Sequence, residues 1–523
     1  MKLDEISEAR QGMIPGNAKA FIRLWFEVDS TKIGFNHESS EDISNYNKKW
    51  FPYNKGGPFQ RWFGNIEHLI DMENNGQNIK YSGQNKNYRL RDPKYYFKEA
   101  ITWSKVSGGN FSARYMPKGC LFDIAGCCVF ELNENLSYVL AFFNSIVTEI
   151  ILNFISPTLN FEVDHIKKLP VIFSDKNIKQ INYLVDDNIT ISKVNWDNYE
   201  TSWDFKHHPF LNFQETLIKN CFKKWESEGL ERFNNLKYNE KKINEIFIDI
   251  YDLKEELSPE IKDSEVTINK ADLSKDIKRF ISYALGCILG RYSLDKEGLI
   301  YAGGQWDPSR YSKFLPDDDN IIPILDSEYF EDDIVGRFVE FIKVTFGEDN
   351  LEENLDFIAK ALKKKGTTSR EVIRNYFLTD FYKDHLKTYK KHPIYWLFDS
   401  GRNNGFKALI YMHRYEPDLV ARVRTDYLHK TQKAMETAIA HNDRIIETST
   451  STSEKSKAVK AKNKLVKQLK ETKKYDEALA HIANQKIEID LDDGVKVNYA
   501  KFQGVEVSSE GQKAKKINLL KPI

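Results

Sequence analysis

Residues 217–250 read LIKNCFKKWESEGLERFNNLKYNEKKINEIFIDI, and this segment separates two kinds of sequence along the chain. Its apolar residues recur at three-, four- and seven-residue intervals among Lys and Glu, which is the spacing of one helix face. They are Leu217, Cys221, Trp225, Phe233, Leu236, Ile243, Phe247 and Ile250. We predict a long amphipathic helix here. The alternative is a helix broken at Gly229, because glycine lowers helix propensity.

On the N-terminal side, short strand-like runs lie between clusters of Gly, Pro, Asn and Ser, which is typical of strands joined by turns. These runs are at 20–28, 100–106 and 119–130, and one apolar helix is predicted at 138–155. On the C-terminal side we predict a helix at 274–289, a solvated acidic loop at 316–333 and helices throughout 331–447. The pair Asp493-Gly494 between alternating apolar residues predicts a β-hairpin within 486–502.

Together these patterns predict an α+β fold, with a mixed sheet and helix domain followed by a mainly α-helical C-terminal region that ends in a β-hairpin. We place the first domain at 1–175. The remaining segments are predicted as a helical connector with the acidic loop at 176–345, a helical domain at 346–447, a flexible Ser/Thr-rich linker at 448–458, and a basic helix with the C-terminal hairpin at 459–523.

Length and composition limit the class of protein. The 523 residues allow three or four domains at roughly 150 residues each. Lys and Arg number 77 and equal the 77 Asp and Glu, so there is no global charge excess. Five cysteines without a C-x2-C pair suggest reduced thiols, the start has no signal-peptide pattern, and 138–155 is too interrupted by polar residues to span a membrane. We predict a cytoplasmic protein with no membrane partner.

A search for catalytic patterns is negative. No G-x-x-x-x-G-K-[ST], G-x-G-x-x-G, H-E-x-x-H or G-x-S-x-G string occurs. His207 and His208 are adjacent, so a helix or strand would point them apart, and no third ligand lies at a useful spacing. We therefore predict no catalytic residue, no cofactor-binding residue and no metal ligand in this chain.

The positive signal lies in residues 48–118, where 13 Lys and Arg face 5 Asp and Glu and 14 aromatic residues are interleaved with them. Cations neutralise phosphates, aromatic rings stack on sugars or bases, and Arg and Asn read base edges. The alternative is a solvated basic loop over an aromatic core. The predicted double-stranded DNA contacts are Lys48, Lys49, Lys55, Arg61, Arg89, Arg91, Lys105, Asn110 and Arg114.

Two segments carry more specific expectations. Residues 103–115 contain Ser107-Gly108-Gly109-Asn110 between two apolar-alternating runs, so Lys105, Asn110 and Arg114 could read bases, or the segment could be a plain hairpin. Residues 455–474 hold nine Lys and one Glu on a helical pattern. That helix either contacts phosphate or packs against a partner with a solvated basic face.

Beyond these patterns, long strings throughout the chain resemble the C-terminal half of the PglX family, the adenine-specific DNA methyltransferases of bacteriophage exclusion (BREX) systems. More distantly they are similar to fused restriction and modification enzymes. The strings are KWFPYNKGG (49–57), SPTLNF (156–161), ETSWDF (200–205), GRYS (290–293), PIYWLF (393–398), RVRTDY (422–427) and LDDGVKVNY (491–499).

The resemblance implies a target-recognition domain at 1–175 and a helical C-terminal region that clamps DNA or docks other phage-defence proteins. The family's cofactor-binding glycine motif and Asn-Pro-Pro-Tyr motif are absent from the sequence. S-adenosylmethionine would therefore bind a missing catalytic half or a separate catalytic chain, and this chain alone would be inactive. We expect a split gene product or a truncated reading frame. The alternative function is a protein-interaction module of a defence complex that does not touch DNA.

Overall fold

Two four-stranded sheets form the β part of the N-terminal region. The structure is a computed structural model that describes residues 1–39, 43, 47–82, 87–156, 160–507 and 515–523. The strands are β1 (Glu8–Arg10), β2 (Ile22–Leu24), β3 (Trp50–Asn54), β4 (His68–Asp71), β5 (Ala100–Ser104), β6 (Ala113–Met116), β7 (Leu121–Phe122) and β8 (Gly126–Phe130). One sheet has the order β1-β8-β5-β6 and is antiparallel; the other has the order β2-β4-β3-β7, with β3 and β7 parallel.

The helices that accompany these sheets are α1 (Ala18–Phe21), α2 (Glu73–Tyr81), α3 (Leu136–Asn144), α4 (Ile146–Ile155), α5 (Val163–Ile166), α6 (Asp175–Asp197) and α7 (Ile218–Ile250). Helix α3 packs on β5 and β6, and seven of its nine residues are buried. The sheet and helix mixture predicted for this region is confirmed. Helix α7 is also confirmed and continues through Gly229 without a break.

The apolar helix predicted at 138–155 is instead two helices, because Ser145 ends α3 and caps α4. Its hydroxyl accepts a hydrogen bond from the Thr148 amide at 3.4 Å and donates one to the Phe142 carbonyl at 2.7 Å. Serine favours such positions because its oxygen satisfies an otherwise free amide at the helix start. Among the described residues no single helix is long and apolar enough to cross a membrane; the pair at 133–155 meets the length and composition only with a 70° bend.

The C-terminal region is mainly helical, as predicted. Its helices are α8 (Leu273–Ile288), α9 (Ile334–Phe346), α10 (Leu351–Leu362), α11 (Ser369–Tyr376), α12 (Tyr382–Thr388), α13 (Leu419–Arg422), α14 (His429–Thr448), α15 (Thr452–Gln485) and α16 (Val495–Ala500). The strands are β9 (Ile322–Pro323), β10 (Tyr395–Asp399), β11 (Lys407–Tyr411), β12 (Val505–Val507) and β13 (Lys515–Ile517). The first three form an antiparallel sheet of order β10-β11-β9.

The chain divides into two compact units, which we describe separately. The first unit is Met1–Phe26, Ser30–Lys206 and Lys223–Ala271, and the second is Glu27–Asp29, His207–Phe222 and Asp272–Ile523. The domain boundaries predicted from the sequence stay predictions.

Four local predictions are corrected in the C-terminal region. Residues 331–447 are not helical throughout, because β10 and β11 are fully buried strands rich in aromatic and branched residues. The acidic segment is not a solvated loop, since Asp317 and Asp333 are buried and Asp333 pairs with Arg374 at 2.7 Å.

The linker predicted at 448–458 is mostly helical. Helix α15 begins at Thr452, and Ser451 caps it by accepting a hydrogen bond from the Glu454 amide, so the Ser/Thr run serves as a helix start. The C-terminal hairpin is confirmed as β12 and β13, but it lies after the predicted segment. Within the predicted segment, Gly494 is the N-cap residue of α16. Residues 157–159 of the SPTLNF string lie outside the described residues.

Candidate nucleic-acid interface

Most aromatic residues of segment 48–118 are core residues. Ten of the 14 are buried: Trp50, Phe51, Tyr53, Trp62, Phe63, Tyr95, Tyr96, Phe97, Trp103 and Phe111. Tyr81 is the exposed exception, with 77% of its surface accessible. The aromatic interleaving therefore fills the interior, as in the alternative interpretation, and most of these rings cannot stack on a ligand at the surface.

Residues 55–61, which we call the glycine loop, leave the end of β3 and turn sharply over the end of β5. Gly56 has φ +72°, and a Cβ there would lie 2.7 Å from the Ala125 carbonyl oxygen, so only glycine fits. The Ser104 hydroxyl accepts from the Gly57 amide at 3.0 Å and donates to the Gly57 carbonyl at 2.8 Å. The loop backbone is thus fixed at its start by the last residue of β5.

A buried carboxylate on α7 fixes the other end of the glycine loop. Glu240 accepts hydrogen bonds from Arg61 Nη1 at 3.2 Å and from Trp62 Nε1 at 2.7 Å. The side chains of Arg61 and Glu240 are 6% and 2% exposed. Burial raises the pKa of Glu240, while the Arg61 charge and the two hydrogen bonds oppose that rise. Arg61 therefore neutralises a buried acid and has no surface left for a ligand.

Arg114 also lies beneath the glycine loop, on β6. It is fully buried, and its closest hydrogen-bond acceptors are the Gln60 carbonyl at 3.4 Å and the Ser104 hydroxyl at 3.5 Å. Burial lowers the pKa of Arg114 to about 10, because the buried guanidinium loses its hydration. Its guanidinium does not reach solvent in this structure. We therefore leave Arg61 and Arg114 out of the surface cluster described below, and the DNA contacts predicted for them stay predictions.

Lys55 and Lys105 come together at one edge of the first unit. Lys55 directly follows the last residue of β3, and Lys105 directly follows the last residue of β5. Both adjoin the turn at 123–126, because the Asp123 amide donates to the Asn54 carbonyl and the Lys105 amide donates to the Ala125 carbonyl, each at 2.9 Å. Both lysines are half-buried. Lys105 forms an ion pair with Glu162 at 3.0 Å, which an anionic ligand would have to displace.

Arg89 joins the same edge through two neighbouring backbone segments. Its amide and carbonyl pair with Ile14, and the adjacent Met13 pairs with the segment at 122–124 that carries the turn. Arg91 has a left-handed backbone and donates from Nε to the Gly12 carbonyl at 2.9 Å. Both arginines are exposed. Long-range pairing thus brings distant basic residues to one place.

Asn110 completes this edge at the tip of the β5–β6 hairpin. The hairpin lies beside the glycine loop, because the Gln60 amide donates to the Ser112 hydroxyl at 3.3 Å. Asn110 is exposed, and a Cβ on Gly108 or Gly109 would meet no atom within 4 Å. We call the set Lys55, Arg89, Arg91, Lys105 and Asn110 the loop edge.

Lys48 and Lys49 lie at the opposite end of β3. Lys48 donates to the Thr31 carbonyl, and Lys49 contacts the Trp50 ring. Since a strand rises about 3.3 Å per residue, Lys49 and Lys55 are separated by about 20 Å. The basic segment 48–118 therefore divides into two separate clusters, and the role predicted for Lys48 and Lys49 stays a prediction.

Sequence reasoning missed the side chains that support the glycine loop, chiefly Ser104 and Glu240. One signal was present, because Glu240 occupies a position of the apolar stripe of α7, between Leu236 and Ile243. A charge on the buried face of an amphipathic helix requires a partner. Ser104 had no such signal.

One group of carboxylates in the described part of the second unit is close enough to share a cation. Oxygen atoms of Asp317, Asp319 and Asp332 lie within 4.8 Å of one another. Tyr427 donates its hydroxyl toward Asp319 at 2.9 Å and Asp332 at 2.6 Å. The sequence predicted no ligand here, and the cluster is reported as a structural feature only.

Comparison with known proteins gives two relatives that match almost the whole chain. Adenine-specific methyltransferase PglX of Lacticaseibacillus casei (strain Zhang) is 45% identical over 518 residues, which cover 96% of this chain and 42% of PglX. Adenine-specific methyltransferase BrxX of Escherichia coli O9:H4 (strain HS) is 38% identical over 524 residues, which cover 93% of this chain and 42% of BrxX. No protein-family model matches the chain.

The chain spans less than half the length of these curated relatives. This coverage is consistent with the expectation that the chain corresponds to a C-terminal half. The chain is homologous, over nearly its whole length, to a part of the adenine-specific methyltransferases PglX and BrxX.

Proposed function

We propose that the chain is the DNA target-recognition part of a site-specific adenine-N6 DNA methyltransferase that acts in BREX phage defence. The observation that carries this proposal is the loop edge, where four exposed or half-buried cations and an amide flank a loop with a fixed backbone. Cations at such an edge neutralise phosphates, and a rigid glycine loop allows close approach to a groove. The homology to PglX and BrxX supports the adenine-specific reaction class.

Catalysis would reside outside this chain. The Asn-Pro-Pro-Tyr motif and a glycine-rich cofactor motif are absent from the sequence. A separate catalytic half or chain would bind S-adenosylmethionine, flip the adenine and transfer the methyl group. The loop edge would select the site, and other defence proteins would bind elsewhere on the complex.

The phosphate contacts are tested with the variant Lys55→Gln/Arg89→Gln/Lys105→Gln, which we call the loop variant. Each lost phosphate contact reduces the slope of log K against log salt by about 0.9, so the triple variant should flatten the slope by about 2.7. The charge-matched control is Lys176→Gln/Lys179→Gln/Lys254→Gln, which removes three exposed lysines from other helices and loops of the same unit. Binding to a 30-base-pair duplex is measured by fluorescence anisotropy from 50 to 300 mM salt.

Base reading is tested with Asn110→Ala by selection from a random duplex library. A base contact should cost about 1–3 kcal/mol at one position and relax preference there. Equal slopes for the loop variant and its control, together with an unchanged selected motif, would argue against the loop edge. Absence of any duplex binding would favour the alternative, a protein-interaction module.

A further inference from the structure

Six lysines follow one face of α15, and we call them the lysine stripe. They are Lys457, Lys460, Lys464, Lys467, Lys470 and Lys474. At about 100° per residue they fall within an arc of about 140°. All six are exposed, whereas Ala458, Gln468 and Thr472 on another side of the same segment are buried. The arc also contains one carboxylate, Glu471, which accepts hydrogen bonds from Ser400 and from the Asn403 and Gly405 amides. The stripe is thus a mainly basic surface along one part of the helix.

The charge of the stripe is largely uncompensated. Within the described ranges, Lys464 is the one member that forms an ion pair, with Asp326. Two of the three lysines of α15 outside the stripe are paired with α14, since Lys462 pairs with Asp443 and Lys473 with Glu436. Like charges three or four residues apart on a helix repel each other. A surface that keeps this repulsion is suited to an anionic ligand.

The shape of the stripe favours a linear polyanion. From Lys457 to Lys474 the helix rises about 26 Å, close to three-quarters of a duplex turn of about 34 Å. A membrane surface fits less well, because an interfacial helix inserts a free apolar face. The large apolar residues exposed on α15 are Val459 and Val466, at 40% and 45%, and they do not form such a face.

We propose that the lysine stripe of α15 is a second, sequence-independent contact for the phosphate backbone of duplex DNA. The proposal rests on the DNA-recognition function proposed above, because that function supplies the duplex. The lysine stripe belongs to the second unit, whereas the loop edge belongs to the first. Contacts between lysines and phosphates carry no information on the base sequence, so the stripe contributes affinity and not site choice.

The test uses the whole chain with the stripe variant Lys457→Gln/Lys460→Gln/Lys467→Gln/Lys474→Gln. Glutamine has nearly the helix propensity of lysine, so the fold should survive. The slope of log K against log salt should become shallower by about 3 to 4, and affinity near 0.1 M salt should fall about tenfold or more. The motif selected from a random duplex library should not change.

Two controls accompany the stripe variant. Lys433→Gln/Lys455→Gln/Lys462→Gln/Lys473→Gln removes the same charge from α14 and from other sides of α15, and should change the slope by less than about 1. The matching Lys→Arg stripe variant keeps the charge and should keep the wild-type slope. If the Gln variant unfolds, single Lys→Gln substitutions give the change in slope per residue.

An unchanged slope for the folded stripe variant overturns the proposal, as does wild-type protein that binds no duplex. A loss of self-association in the stripe variant, with duplex binding intact, overturns it in favour of a second copy as the partner. The results for the two proposals can be distinguished, because the loop variant tests the loop edge in the same assay. A normal slope change in the loop variant with none in the stripe variant rejects the stripe alone.

Discussion

The Glu240 carboxylate is buried below the glycine loop and accepts hydrogen bonds from Arg61 and Trp62, which lie far away in the sequence. One side chain therefore sets the position of a loop at the proposed interface. Buried ion pairs rarely add stability over an apolar pair, but removal of one partner leaves the other charge buried and unpaired. At the scale of single residues, the position of the glycine loop thus depends on individual polar contacts.

We expect Glu240→Ala to lower the free energy of unfolding by about 3–5 kcal/mol, because Arg61 and Trp62 lose their acceptor. Urea titration measures the loss. The double variant Arg61→Met/Glu240→Leu should recover part of it, since no charge then remains buried. A loss below about 1 kcal/mol for Glu240→Ala would show that Arg61 finds water or another acceptor.

The acidic cluster in the second unit predicts a pH dependence of stability. Burial raises the pKa of Asp317 to about 8, and repulsion from Asp319 adds to the rise. In the unfolded chain the pKa of an Asp side chain is about 3.9. Between that pH and the folded-state pKa, the folded protein therefore binds a proton that the unfolded chain releases. This contribution to stability is complete below about pH 4 and is lost as the pH rises toward 8.

Asp317→Asn should therefore flatten the stability profile between pH 5 and 8 and unfold at higher temperature than the wild type at pH 8. Asparagine keeps an oxygen that can accept the hydrogen bond from the Ile321 amide, 3.1 Å away. Thermal unfolding across pH 5 to 8 measures the effect. Parallel profiles for the two proteins would mean that Asp317 is ionised in the folded state.

At the scale of secondary-structure elements, α7 shows that a glycine need not end a helix. Gly229 lies within the continuous helix Ile218–Ile250, because the apolar stripe on both sides of it is buried and keeps the helix together. A Cβ at Gly229 would lie 3.8 Å from the Ala271 amide nitrogen, which is ordinary contact. Packing thus overrides a local preference for a break.

Gly229→Ala should stabilise the protein by about 0.5–1 kcal/mol, because alanine loses less backbone freedom in a helix. Gly56→Ala is the matched comparison and should destabilise it by more than about 1 kcal/mol, since the Cβ would lie 2.7 Å from a backbone oxygen at φ +72°. Urea midpoints compare the two. A stability loss in Gly229→Ala would indicate that the helix bends there in solution.

At the scale of the whole molecule, the chain covers 42% of PglX and of BrxX. The reaction named for those relatives needs a cofactor site, and a nucleotide-type cofactor is held by a glycine-rich turn between a strand and a helix. No G-x-G-x-x-G string occurs in this sequence. The function proposed above therefore predicts that this chain needs a partner for catalysis.

We expect the purified chain to show no micromolar binding of S-adenosylmethionine in titration calorimetry. It should also transfer no tritiated methyl group to DNA until a catalytic half or chain is added. A full-length PglX relative serves as the positive control for both assays. Heat release that saturates near one cofactor per chain would contradict this prediction and would reveal a cofactor site without a known sequence motif.

The sequence by itself determined the elements whose signal is local. Periodicity and turn residues predict the apolar stripe of α7, the α8 helix and the α+β class, because neighbouring residues carry that information. The Ser/Thr run near 450 and Asp493-Gly494 misled the prediction because cap and turn residues are chemically alike. Both begin helices in the structure.

Only the tertiary structure decided which polar residues form the candidate interface. Arg61 and Arg114 have the same chemistry as Arg89, yet they are buried beneath a loop while Arg89 is exposed. Lys55 and Lys105 become neighbours because β3 and β5 end at the same turn. Burial and long-range strand pairing depend on contacts between residues distant in sequence, and no local pattern encodes them.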